Sequence, residues 1–179
     1  YIKGYTVKHE TAESKTAIKV DNEEIPFRLA EVRYHNEDDR TKRIAIFQAR
    51  NKAIEEKFNP ILEERMEKLH KMSKDLGYRN YIELFQDTKK IDFEELSSSV
   101  TYFIERTESM FADKMGEMTK DVAGVELSQA EKHDIAFVFR AKEFDSYFRK
   151  DGAMNVLEST LKGIGVDIAT NKSISIDLE

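Results

Sequence analysis

A mainly α fold is the class that this sequence predicts, and three observations predict it. The 179 residues include only two prolines and seven glycines, which is few for a turn-rich β fold. Apolar residues recur at three- and four-residue steps over long stretches, which is the period of an amphipathic helix. Charged residues make up 36% of the chain and fill the positions between them. We therefore expect a helical bundle of about six helices, formed as a single unit over residues 1–179.

The longest periodic stretch covers residues 38–76 and predicts one long helix. At roughly 1.5 Å per residue, this helix would extend about 57 Å. Asn36 is its expected N-cap and Gly77 its expected C-cap. Pro60 removes one backbone donor in the middle, so we expect either a kink there or two helices that lie nearly end to end. The apolar stripe of this helix comprises Phe47, Ile54, Phe58, Ile61, Leu62, Met66, Leu69, Met72 and Leu76.

A polar loop, a small β-hairpin and a short helix are expected before the long helix. Residues 9–14 are polar and predict the loop. Residues 16–20 and 24–28 flank an Asp-Asn-Glu turn and predict the hairpin. Pro26 confines the second strand of this hairpin to an edge of the sheet. Residues 29–34 are expected to form the short helix.

A second long amphipathic helix is predicted after a short helical segment at residues 78–85. Asp92 with Glu95 resembles a capping box and marks the start of this helix, and Gly124 marks its end. Its methionines are expected to fill the core. Its apolar face comprises Phe93, Leu96, Val100, Phe103, Ile104, Thr107, Met110, Phe111, Met115 and Met118.

The last third of the chain predicts two further helices and a strand. Ser128 with Glu131 has the capping-box pattern, and aromatic residues continue that helix to residue 148 with an interruption near Arg140. Residues 153–164 predict another helix, closed by glycines. Residues 173–178 alternate between polar and apolar, which predicts a half-buried strand. Because a strand needs a neighbour, we expect the chain to be a piece of a longer protein.

Composition excludes several classes of protein. The chain has no cysteine, which excludes disulfides and thiolate metal sites and favours a cytoplasmic location. A formal net charge of -6 argues against a nucleic-acid partner. No run of about eighteen apolar residues predicts a membrane span, and no secretory signal is visible. We therefore expect a soluble protein with neither a nucleic acid nor a membrane as partner.

Two local patterns have the spacing of metal ligands. Glu67-x-x-His70 matches the Glu-x-x-His motif of di-iron helical bundles, but a second copy would be required and the sequence has none. His9-Glu10 begins like the zinc motif H-E-x-x-H, but Glu13 stands where the second histidine is needed. We therefore interpret Glu67 and His70 as residues of a solvated helix face, and we assign no metal ligand.

His133-Asp134 and Asp145-x-Tyr147 are polar groups within an aromatic segment. They are candidates for the lining of a cleft, but a helix boundary with a partly exposed face is the favoured interpretation. The sequence has no G-x-S-x-G and no glycine-rich phosphate loop. From the residues alone, no catalytic, cofactor-binding or metal-binding residue is assigned.

Three stretches of the chain carry motifs in a distinctive order and spacing. Residues 38–49, DDRTKRIAIFQA, are similar to a D-R-x-x-R-x-x-A-F-x-A helix start, and residues 76–81, LGYRNY, are similar to L-G-Y-x-N-Y. Residues 134–148 form the third stretch, together with residues 161–167 and 176–179. In this order they resemble the zinc metallopeptidases of the thimet oligopeptidase and oligoendopeptidase F family, the third stretch resembling a less studied branch.

The resemblance implies a role without catalysis for this chain. The family's chemistry depends on H-E-x-x-H and a further Glu ligand, with zinc activating a water and the motif Glu acting as base, and the sequence has no such motif. The implied function is a helical wall of a peptide-binding channel, upstream of the catalytic domain. Zinc, short peptides and hydrolysis are then expected of the full-length parent only.

A helical interaction module without an enzymatic parent is the alternative, because any scaffold can use a long amphipathic helix. If the chain is a piece of a longer protein, loss of its downstream partner should expose part of the apolar stripe and the strand edge formed by Ile174, Ile176 and Leu178, and we expect self-association through those surfaces.

Overall fold

A computed structural model describes residues 2–168 and confirms a mainly α fold with a small two-stranded hairpin near the N-terminus. The predicted strand at residues 173–178 lies outside the described residues. Contacts divide the chain into two units, Tyr1–Arg140 and Ala141–Glu179. Whether residues 1–179 form one domain, as the sequence predicts, is not decided by this division into contact units, and it stays a prediction. Among the described residues, no helix is both long and apolar enough to cross a lipid bilayer.

The first helix, α1, covers Lys3–Lys15, so the predicted polar loop at residues 9–14 is wrong. None of its residues is buried, and its sequence has no regular apolar stripe of the kind by which periodicity identifies a helix. Polar contacts to a later helix attach it to the first unit. The hydroxyl of Tyr5 and the ammonium of Lys8 donate to the two carboxylate oxygens of Glu64 over 2.9 and 3.1 Å.

The predicted hairpin is confirmed and leads directly into a short helix. Strands β1 (Ala17–Val20) and β2 (Glu23–Pro26) pair antiparallel, with a two-residue turn between them. Helix α2 follows at Phe27–His35. The main core of the first unit lies where these elements meet the long helix, and its buried residues are Ile18, Ile25, Phe27, Ala30, Tyr34, Ile46, Ala53 and Phe58.

The long helix forms as predicted, but it changes type just before Pro60. Helix α3 covers Arg40–Ala53, a π-helical turn covers Ile54–Phe58, and helix α4 covers Asn59–Asp75. Within the turn, the N–H of Asn59 donates to the carbonyl of Ile54. Because Pro60 has no N–H and its ring crowds the carbonyl four residues earlier, a wider turn at this position accommodates it.

The N-cap of α3 is Asp39, so the prediction of Asn36 is wrong. Oδ1 of Asp39 accepts hydrogen bonds from the N–H groups of Thr41 and Lys42, at 2.8 and 3.3 Å. Asn36 instead caps the end of α2, where its Nδ2 donates to the carbonyl of Val32.

Gly77 ends α4 as predicted. Its φ is +89°, a conformation that favours glycine. The N–H groups of Gly77 and Tyr78 donate to the carbonyls of Lys74 and Ser73 at 2.9 Å each, which is the Schellman pattern. Asn80 then caps helix α5 (Tyr81–Lys89) by accepting from the N–H of Glu83.

Helix α6 covers Phe93–Met118 and is followed by a π-helical turn at Thr119–Ala123. Oδ1 of Asp92 caps it by accepting from the N–H groups of Glu94 and Glu95. Its apolar face is largely exposed, so the expectation that its methionines fill the core holds only for Met115.

Helix α7 covers Lys132–Phe139, and its N-cap is Glu131 rather than the predicted Ser128. Ser128 lies in the preceding 3₁₀ turn. The N–H of Glu131 donates to Oδ2 of Asp134, so the capping box begins three residues later than predicted. The break expected near Arg140 is present, but the predicted continuation of the same helix to residue 148 is wrong, because Lys142–Tyr147 is a 3₁₀ turn.

The second unit begins at Ala141 with a φ of +50°. It contains 3₁₀ turns at Lys142–Tyr147 and Lys150–Gly152, followed by helix α8 at Ala153–Gly163. Gly165, with a φ of +85°, closes α8 in the same way as Gly77 closes α4.

Candidate functional site

The candidate site lies between α3 and α7, where the fold brings three charged residues together. Arg40 and Arg43 lie in the first turn of α3, and Asp134 is the third residue of α7. Asp134 and Arg43 are 0% and 1% exposed, a degree of burial that charged residues reach only when they are paired. We call Arg40, Arg43 and Asp134 the Asp134 cluster.

Arg40 binds the carboxylate of Asp134 with two donors. Its Nε lies 3.0 Å from Oδ1, and its Nη2 lies 2.8 Å from Oδ2. This fork-to-carboxylate geometry is the strong, directional form of an Arg–Asp ion pair. The same Nη2 also donates to the carbonyl of Gln129, so Arg40 additionally holds the loop before α7.

Arg43 is the buried centre of the cluster. Its Nη2 donates to Oδ1 of Asp134 at 3.2 Å, while its Nη1 donates to the carbonyls of Glu37 and Asp38 at 2.9 and 3.0 Å. Its guanidinium carbon lies 4.1 Å from the centre of the Phe137 ring, which gives a cation–π contact. One side chain thereby ties the loop before α3 to helix α7.

The electrostatics of Asp134 make it an anchor and exclude it as a base. Burial acts to raise the pKa of its carboxyl group, but hydrogen bonds from Arg40, the Glu131 backbone and Arg43 outweigh burial and lower the pKa to about 2. A general base at neutral pH requires a proton affinity near that pH. Asp134 is therefore a fixed negative charge that holds two arginines.

His133 is buried beside the cluster and is 0% exposed. Its Nε2 lies 3.4 Å from Oδ1 of Asp134, but neither ring nitrogen has a hydrogen-bond partner among the residues that the structure describes. Burial lowers the pKa of the imidazole, and the neighbouring carboxylates of Asp134 and Glu131 oppose this shift only in part. His133 is therefore neutral at pH 7 and packs against Phe47 at a ring distance of 5.5 Å.

Acid should weaken the fold through both buried groups. The pKa of His133 is lowered from 6.5 in the folded chain, so the stability it contributes is complete above 6.5 and is lost as the pH falls below that value. The pKa of Asp134 is lowered from 3.8 to about 2, so its contribution is lost between those two values.

We expect the free energy of unfolding to fall more steeply for the wild type than for His133→Gln as the pH is lowered from 6.5. Chemical denaturation of both proteins across this pH range measures the difference. The same replacement at the partly exposed His35 controls for the loss of an imidazole. A gap between wild type and His133→Gln that did not change with pH would contradict the burial argument.

His133 and Asp134 do not have the partly exposed position that the sequence favoured, because both are fully buried. They face the first unit's interior, where Asp134 pairs with Arg40 and Arg43.

Asp145 and Tyr147 belong to the second unit, in which Tyr147 is 80% exposed. In that unit an open groove of about 900 Å³ is lined by Tyr147, Phe148, Arg149, Asp151, Gly152, Ala153, Asn155, Val156, Leu157 and Thr160.

The residues with metal-like spacing do not converge on one point. Glu67 is exposed on α4, and Nδ1 of the half-buried His70 accepts a hydrogen bond from the N–H of Tyr81 at 3.4 Å. His9 and Glu13 lie on α1, with 3.7 Å between Nδ1 and Oε1. Within residues 2–168, no three His, Cys, Asp or Glu side chains are placed to hold a metal ion.

The Asp134 cluster is the part of the site that sequence reasoning missed. Its members are separated by 91 and 94 residues, and no local pattern links them. Two sequence features could have indicated an ion pair: two arginines three residues apart at the predicted start of a helix, Arg40 and Arg43, and an acidic residue at the start of an apolar helix, Asp134. Both features lie in stretches identified by the family resemblance, but the residues themselves did not indicate a contact.

No family model, curated protein or solved structure matches this chain.

Proposed function

We propose that this chain is the non-catalytic helical part of a zinc metallopeptidase that resembles thimet oligopeptidase and oligoendopeptidase F. In the whole protein it would form one wall of the channel in which short peptides are hydrolysed. The observation that carries the proposal is the ordered set of three motif stretches at residues 38–49, 76–81 and 134–148.

The positions of the motif residues support this proposal. In the D-R-x-x-R stretch, Asp39 caps α3, and both arginines bind Asp134, the first residue of the third stretch. In the L-G-Y-x-N-Y stretch, Gly77 ends α4 and Asn80 caps α5. Residues that shape helix junctions are the ones a channel wall needs, because they fix how its helices meet.

The residues of this chain do not fit a catalytic zinc site. Such a site needs two histidines one turn apart, a third ligand and a general base. The four histidines at positions 9, 35, 70 and 133 include no pair with that spacing. We therefore assign no step of peptide hydrolysis to these residues, and the zinc chemistry is proposed for the parent alone.

The gene sequence beyond the codon for Glu179 tests the proposal most directly. We expect an H-E-x-x-H motif there, and we expect the full-length protein to cleave a quenched fluorescent short peptide until EDTA removes its metal. The 179-residue chain should show neither cleavage nor stoichiometric zinc by elemental analysis. A reading frame without H-E-x-x-H would refute the peptidase assignment, and zinc bound by the short chain would refute its non-catalytic role.

A helical interaction module is the second candidate function, and the exposed apolar face of α6 is the observation that favours it. Side chains such as Phe103 and Met110 are 65% and 64% exposed, although they lie on one side of a long, regular helix. A face of this kind suits a protein partner. A reading frame without the zinc motif would favour this candidate.

A further inference from the structure

The apolar face of α6 is a large hydrophobic surface in the part of the chain that the structure describes. The exposed fractions of its large apolar residues between Leu96 and Phe111 range from 47% at Val100 to 65% at Phe103, and Thr107 among them is half-buried. At the N-terminal end Phe85 stacks on Phe93, and at the C-terminal end Met115 is buried. We define the α6 face as Leu96, Val100, Phe103, Ile104, Thr107, Met110 and Phe111.

The α6 face has the spacing of a helix-pairing seam. Leu96, Val100, Phe103, Thr107 and Met110 follow one another at steps of four, three, four and three residues. This alternation keeps one seam facing a partner helix, as in coiled coils. No seam position from Leu96 to Met110 carries a charge. If the same spacing is continued, the next position is the charged Lys114.

The exposed area is large enough for a stable interface. Large side chains present roughly 150–250 Å² each when fully exposed, so the exposed fractions of the six large apolar residues correspond to about 500–850 Å² for one face. A stable protein–protein interface buries about 800 Å² on each partner, whereas monomers rarely expose apolar patches beyond about 300–600 Å². The α6 faces of two copies of this chain could therefore bury an area in the range of a stable interface without a different partner protein.

We propose that the α6 face pairs with the α6 face of a second copy of this chain in antiparallel orientation. With the two-fold axis between Val100 and Phe103, Phe93 lies opposite Met110 of the second copy, and Leu96 lies opposite Thr107. All of these positions are uncharged. A parallel pair would instead bring Glu94 and Glu95 of both copies together and align the two helix dipoles.

This pairing concerns the 179-residue chain and does not rest on the metallopeptidase proposal. If the chain proves monomeric, the metallopeptidase proposal still stands or falls on the H-E-x-x-H motif. If that motif is missing, the prediction of a dimer is unchanged. The interface also differs from the Asp134 cluster, which lies between α3 and α7 of one copy.

Sedimentation velocity of the full chain tests the pairing. At about 100 µM, well above a micromolar dissociation constant, we expect a species of twice 20.8 kDa. Phe103→Glu should weaken the dimer at least tenfold, because it places a charge in the seam, and Met110→Glu should act in the same way. Tyr102→Glu is the matched control, since Tyr102 is 60% exposed and lies about 100° around the helix from the seam residue Phe103.

Each result decides for or against the proposal. Circular dichroism must show the same helix content for all variants, and monomeric seam variants beside a dimeric control would support the pairing. A wild type that stays monomeric, a seam variant that stays dimeric, or open-ended assembly beyond the dimer would overturn it.

Orientation has its own measurement because the chain has no cysteine, so that Glu94→Cys provides a unique position for a spin label. In the antiparallel pair, the two labelled positions lie about 22 Å apart along the helix axis. In a parallel pair they lie side by side. A short distance between the labels would overturn the antiparallel arrangement.

Discussion

Asp134→Ala is expected to destabilise the first unit by about 3–5 kcal/mol. The replacement removes the carboxylate that receives three donor atoms of Arg40 and Arg43 and leaves the Arg43 charge buried without its partner. Burying an unpaired charge is among the largest penalties that one substitution can introduce. Urea unfolding followed by circular dichroism measures the loss.

Two controls separate an unpaired charge from a general loss of packing. The double variant Arg43→Met with Asp134→Leu replaces the buried pair by apolar side chains, so it should recover most of the lost stability. Asp113→Ala, at an exposed position on α6, should change stability by no more than about 0.5 kcal/mol. A double variant as unstable as Asp134→Ala would show that the buried charge is not the cause.

Phe58→Ala is expected to cost about 3–5 kcal/mol, because it opens a cavity in the main core. Phe58 is only 2% exposed. Its ring contacts the Phe27 ring edge-on, with 4.5 Å between centroids, and lies 5.3 Å from the His9 ring. The cavity would therefore lie where the π-helical turn meets α1 and α2.

The matched control for this core prediction is Phe139→Ala on α7, where the phenyl ring is 62% exposed. We expect a change within about 0.5 kcal/mol there. Equal losses at both positions, measured by the same urea titration, would mean that burial of Phe58 does not determine its contribution.

Local sequence patterns predicted the elements that depend on apolar periodicity and on special backbone residues. The long helix, the hairpin and the end of α4 at Gly77 follow from such patterns. Helix α1 could not be recognised in this way, because contacts such as Lys8 to Glu64 hold it, and these connect distant parts of the chain.

The two N-caps were each placed three residues too early for a related reason. Asn36 and Asp39 are both good N-cap residues, and Ser128 is a better N-cap by residue type than Glu131, which usually takes the third helical position of a capping box. The choice between them depends on neighbours that the local sequence does not show. Arg43 fixes the loop before α3, and Asp134 fixes the start of α7.

Periodicity also showed which face of α6 is apolar, but it did not show whether a partner covers that face. The same pattern correctly identified buried residues on the long helix, including Phe58 and Ile61. On α6 it selected side chains that remain largely exposed, such as Phe103. Amphipathicity therefore predicts a surface suited to burial, and only the three-dimensional contacts reveal its occupant.

The ion pair between Arg43 and Asp134 also sets an order of events during protein synthesis. Asp134 follows Arg43 by 91 residues, a delay of roughly 5–20 s when a ribosome adds roughly 5–20 residues per second. The hairpin and α2 are made before this interval and the rest of the long helix during it, but the Arg43 guanidinium has no Asp134 carboxylate to pair with until the interval ends. Arg43 must therefore stay hydrated in the nascent chain until α7 emerges, so the docking of α7 on α3 is a late step in folding during synthesis.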